Sequence, residues 1–142
     1  MRLFLGLLAC CSMSSAVVAE PTDRWWSGSG MGVSEYGWSG SDRTTIYITC
    51  DGEDELGLQA AIRGIDPKPN SDVTFTLNGQ KIVFWTEKTG DIEMRSRVST
   101  NNLYFLFDEL RSGERVTINF NGISKTLPLV GSAKGLGEGL CE

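Results

Sequence analysis

Histidine is absent from the chain, which removes Ser-His-Asp and Cys-His catalysis together with the commonest metal ligand. Cysteine is scarce. Of four cysteines, Cys10 and Cys11 fall in an N-terminal leader, so Cys50 and Cys141 alone remain. Two thiols in an oxidising compartment serve better as one disulfide than as a nucleophile or zinc ligands. Phosphate-binding signatures are missing too: Gly28-Ser29-Gly30-Met31-Gly32 has glycines without the spacing or strand–helix context of a nucleotide loop. Acids are plentiful, but Asp51, Glu53, Asp54, Glu55, Asp66, Asp72, Glu87 and Asp91 read as turn residues, and Asp108 and Glu109 as the polar side of a helix. The 51–55 cluster lacks calcium-loop spacing. None stands alone at an inward strand position, where burial would raise its pKa for general-acid work. No enzyme, cofactor or metal is expected.

Long apolar runs are also lacking. Leu3 to Ala9 is too short to span a bilayer. With Arg2 before it and Val17-Val18-Ala19 after it, the run reads as a signal peptide over 1–19, cleaved before Glu20. Leu7-Leu8-Ala9-Cys10, similar to a lipobox, is the less favoured lipoprotein reading. The expected mature domain is 20–142, a single domain with a modest core, periplasmic or secreted. Without Arg2, twelve basic residues face eighteen acidic ones. An acidic domain with no Lys/Arg-rich face is a poor nucleic-acid ligand and is attracted to a basic partner. No membrane span is expected.

What is present is β patterning. Thr44 to Cys50 alternates, with Ile46, Ile48 and Cys50 on one face. Leu56, Leu58, Ala60 and Ile62 repeat the pattern after an acidic turn, predicting a hairpin. Asn78-Gly79 and Asn121-Gly122 are two-residue hairpin turns. The first sets Leu77 opposite Gln80, Phe75 opposite Ile82 and Val73 opposite Phe84. Ile92, Met94, Ser96 and Val98 alternate with charged residues and predict a further strand. Pro128 sets the end of the last strand, Ile123 to Leu129, at an edge or a bulge. Leu103, Leu106, Phe107 and Leu110 form a helical stripe after a Thr100-Asn101-Asn102 cap, with Gly113 as the stop. Ser132 caps a weak C-terminal helical turn in which Ala133, Leu136 and Leu140 share a face. These elements predict a mainly β fold: an antiparallel two-sheet sandwich or flattened barrel of seven or eight strands with one short α-helix (about 101–112). A Cys50–Cys141 disulfide would staple the weak tail to the Cys50 strand.

Glu20 to Asp42 is the least regular stretch, with short strands around Trp25 and over Val33 to Tyr36. Its Trp25, Trp26, Tyr36 and Trp38 either cap the core end of the sandwich or form a platform that stacks on sugars. Lys81 and Trp85 point away from the apolar face of their hairpin. If the 92–98 strand lay beside them, Arg95 and Arg97 would join the same outward patch. Ile46 to Cys50, Leu103 to Gly113, and Leu127 to Ser132 with Cys141 resemble, in order and spacing, small exported β proteins of Gram-negative bacteria. That resemblance implies an exported, single-domain β protein. In size and charge the chain is also similar to periplasmic lysozyme inhibitors, without their inhibitory loop signature. The functional expectation is an exported, non-catalytic protein that binds another protein, inhibitor- or immunity-like. The alternatives are a glycan- or peptidoglycan-binding module using the N-terminal aromatics, and a secreted effector acting on host cells.

Overall fold

A computed structural model describes residues 23–52 and 55–142; the signal-peptide reading, and Glu53 and Asp54 of the acidic turn, lie outside them. The chain forms two four-stranded antiparallel sheets. The first is a meander of β1 (Arg24–Gly30), β2 (Val33–Ser39), β3 (Thr45–Asp51) and β4 (Leu56–Ala61), in that order. The second has β5 (Asp72–Leu77), β6 (Gln80–Trp85), β7 (Arg115–Phe120) and β8 (Ile123–Pro128) in the order β6-β5-β7-β8. One apolar core joins them, including Ile46 and Ile48 from the first sheet and Phe75, Phe84, Ile118 and Phe120 from the second. The arrangement is an open sandwich rather than a closed barrel.

Turn chemistry explains the hairpins. Asn78 and Gly79, like Asn121 and Gly122, both have positive φ, the conformation that matches the twist of the flanking strands. Leu77 pairs with Gln80, Phe75 with Ile82 and Val73 with Phe84, the register the sequence predicts. The N-terminal stretch is far more regular than its composition suggests. Met31 (φ 54°) and Gly32 (φ 81°) form another two-residue turn, and seven residues of β1 pair with seven of β2. Pro128 ends β8 at an outer edge, as its missing N–H requires.

The predicted 92–98 strand does not form. Only Ile92 makes a β-bridge, to Thr86, and α1 already begins at Arg97, running to Ser112. The cap is Ser96, whose side chain accepts from the Ser99 N–H, rather than Thr100 to Asn102. Glu93 fixes this helix start. Its carboxylate accepts from the Ser96 backbone N–H at 2.6 Å and from the Ser96 and Ser99 hydroxyls, each at 2.8 Å. The backbone N–H of Arg95 donates to it as well. Burial disfavours its charge, but these donors outweigh that penalty and hold its pKa down at about 2, against an ordinary 4.5. A carboxylate with a depressed folded pKa stabilises above its unfolded pKa, and that stability is lost as pH falls toward the folded value. Glu93→Gln should therefore cost about 1–2 kcal/mol near neutral pH, discounted for partial solvation. Thermal melts should show the gap to wild type closing between about pH 5 and pH 2; a pH-independent gap would refute the carboxylate's role.

The tail closes the fold. α2 (Ser132–Leu136) is capped by Gly131, so Ser132 is its first residue and not its cap. Leu136 and Leu140 are buried and Ala133 is exposed, which corrects the shared face expected for all three. Gly135 is required where it stands: a Cβ there would sit 2.3 Å from the Trp25 carbonyl oxygen. Cys141 is bonded to Cys50 across 91 residues, with Cα atoms 5.5 Å apart. Among the described residues no helix is long and apolar enough to cross a membrane.

Candidate functional site

Three of the four N-terminal aromatics are core residues. Trp25, Tyr36 and Trp38 are between 4% and 6% exposed, so their rings are unavailable as a sugar platform. Strand alternation is the reason: Trp25 pairs with Trp38 across β1 and β2 on the inward face, with ring centroids 5.6 Å apart. The Trp25 indole N–H donates to the Pro128 carbonyl at 2.8 Å, tying β1 to β8 and closing that side of the sandwich. Tyr36 stands edge-on to Phe107 of α1 at 5.0 Å, and its hydroxyl accepts from the Cys141 N–H.

Trp26 alone faces outward, half-buried. It lies over Gly37 and 6.0 Å from Tyr47, which sits two strands away. The Tyr47 hydroxyl donates to Glu35; that bond, with burial and the Glu35 charge, raises the phenol's pKa. Tyr47 was recognisable only as an outward strand residue, since nothing local joins it to Trp26.

On the second sheet, Lys81, Val83 and Trp85 occupy the outer face of β6, all exposed. Val83 and Trp85 are 45% and 49% exposed, large fractions for apolar side chains. α1 runs beside this strand, because Asn102 donates to the Val83 carbonyl at 3.1 Å. Val98 and Phe105 flank Asn102 at helical spacing and are exposed as well. The helix thereby extends the apolar surface past the edge of β6. The sequence hid this, since the first helical turn reads there as a strand.

The expected four-residue patch is only partly assembled. Lys81 and Trp85 share a face. Arg97 is the exposed first residue of α1, and Arg95 lies in the connecting loop in an ion pair with Glu87. That loop does follow β6, with the Glu93 N–H donating to the Trp85 carbonyl at 2.8 Å, but as irregular chain.

No curated protein and no solved structure matches the chain. The YfjT family model matches residues 23–136, from just before β1 to the end of α2. That span covers every strand of both sheets, and the chain belongs to the bacterial YfjT family.

Proposed function

We propose that this protein is an exported, non-catalytic binding protein that engages another protein through the β6–α1 face. The observation that carries this is the exposure of Val83 and Trp85 beside Lys81 on the outer face of β6, with exposed Val98 and Phe105 on the helix that Asn102 ties to the Val83 carbonyl. An exposed tryptophan with apolar Val83 and cationic Lys81 on the same strand face has the composition of a binding hot spot. The Cys50–Cys141 bond supports an oxidising, extracytoplasmic compartment, which agrees with the predicted signal peptide and favours the periplasm or secretion. An inhibitor- or immunity-like role suits an acidic domain, which would be drawn to a basic partner. A secreted effector would use the same surface on a host protein. The second reading, a glycan-binding module, rests on the Trp26–Tyr47 ledge.

Pull-down from a periplasmic extract tests both. Trp85→Ala should weaken capture of a protein partner at least about tenfold, a loss of about 1.4 kcal/mol or more, while the melting temperature stays near that of wild type. Retained capture by Trp85→Ala, but loss with Trp26→Ala and competition by cell-wall fragments, would favour the glycan reading instead.

A further inference from the structure

The glycine-rich stretch that fails as a nucleotide loop, Gly28-Ser29-Gly30-Met31-Gly32, is the far end of the β1–β2 hairpin. Met31 and Gly32 make its turn. Met31 is 105% exposed, more than any other large apolar residue described. Every residue from Ser27 to Gly32 is exposed, and a Cβ built on Gly28, Gly30 or Gly32 would meet nothing within 4 Å. One limb of the hairpin thus carries nothing bulkier than serine for four residues, and then a single long thioether at the apex.

Methionine is also a costly choice for that position. Among the described residues, four two-residue turns have positive φ at both positions: Met31-Gly32, Arg63-Gly64, Asn78-Gly79 and Asn121-Gly122. Two of them begin with asparagine, whose short polar side chain tolerates left-handed backbone. Methionine lacks that local hydrogen bond, and its Cβ crowds the next carbonyl oxygen. A large apolar side chain held against both conformational preference and burial points to a role outside the fold.

The surroundings of the apex are acidic. Glu35 on β2 stands opposite Gly28, and Asp51 on β3 stands opposite Val33. The Gly32 carbonyl oxygen lies 3.7 Å from where a Cβ on Gly52 would stand, so the turn after β3 flanks the apex. On the other flank, Glu138 and Glu142 of the tail share a hollow with Ser27, Gly28 and Ser29. Arg95, which lines a hollow with Val33 and Asp51, is engaged by Glu87.

We propose that the β1–β2 turn is an insertion element, with Met31 entering an apolar recess of a partner protein whose rim is basic. An unbranched, polarisable thioether adapts to an irregular pocket. The limb of serine and glycine lets the hairpin backbone approach the walls of the recess closely. The flanking acids meet Lys or Arg around it, which speeds encounter and fixes orientation. Charge selects this occupant over two others. The anionic headgroups of a bilayer would face these acids unfavourably, as would a second copy of a chain with a net charge of −5. The inference shares a protein partner with the Trp85 reading but uses a different surface, so separate variants test each.

Photo-crosslinking in the producing cell, from a benzophenone side chain at position 31 of the full chain, provides the first test. It should yield one discrete protein adduct, and the same group at exposed Ser124 on β8 should not. The partner is then identified from the joined peptides, purified and titrated by calorimetry. Met31→Asn should weaken binding about tenfold or more while keeping or raising the melting temperature, because asparagine suits the turn. Met31→Leu, which keeps the apolar volume, should bind as wild type does, and affinity should fall with added salt. Wild-type affinity in Met31→Asn would make Met31 a turn residue only and overturn the proposal, whatever Trp85→Ala does. Loss with Met31→Asn and none with Trp85→Ala would uphold it while the Trp85 reading falls. No adduct from position 31, equal adducts from both positions, an adduct only with lipid or a second copy of the chain, or an affinity insensitive to salt would also overturn it.

Discussion

Replacing Cys50 with serine should lower the melting temperature by about 10 °C or more and free the tail beyond Ser132. The bond closes a loop of 91 residues, and removing a disulfide from a small exported domain costs about 2–5 kcal/mol. The effect should be concentrated in the tail because little else holds it. α2 is five residues long, contains Gly135, and has no side-chain cap. Gly137 and Gly139 follow it, weak helix formers both. Leu136 and Leu140 are buried, but their burial needs the chain to return to β3, where Cys50 is 3% exposed. Calorimetry with and without reductant reads the global loss. Hydrogen exchange should show the first loss of protection over 132–142, followed by β1, on whose Trp25 backbone α2 rests. An unchanged melting temperature under full reduction would refute the staple.

Trp25→Ala should cost about 3–5 kcal/mol, the range for removing a large buried aromatic. Its ring is 4% exposed and packs against Trp38, so truncation leaves a cavity between β1 and the second sheet. It also removes the 2.8 Å bond that links the two sheets through Pro128. Trp25→Phe separates the two contributions: it keeps most of the ring volume and loses the hydrogen bond, a loss of about 1 kcal/mol. Denaturant midpoints for the two variants should therefore differ widely. Wild-type stability for Trp25→Ala would return Trp25 to the surface and reopen a role in ligand binding.

What is legible in the sequence follows the range of the interactions involved. The two Asn-Gly turns and the register at Asn78-Gly79 were legible because turn conformation is set by adjacent residues and alternation then fixes the faces. The Leu103, Leu106, Phe107 and Leu110 stripe was legible for the same reason, and all four are buried. Ile92 to Val98 misled because alternating apolar residues satisfy a strand template whether or not a neighbouring strand is available. Glu93 instead collects the donors of Ser96 and Ser99 and starts a helix. The four aromatics of the first hairpin carried no signal separating Trp26 from the rest until the Met31-Gly32 turn fixed the register.

By itself the sequence determined the mainly β class, the register of the Asn78-Gly79 hairpin and the one amphipathic helix, and it pointed to the Cys50–Cys141 pairing. The first three depend on near neighbours in the chain, and the last on setting Cys10 and Cys11 aside with the expected leader. The tertiary structure alone decided which aromatics are core, and that exposed Val98 and Phe105 stand on a helix tied to the edge of the Trp85 strand. Those depend on which strand lies outermost and on what crosses over it, and such long-range pairings leave no local pattern to read.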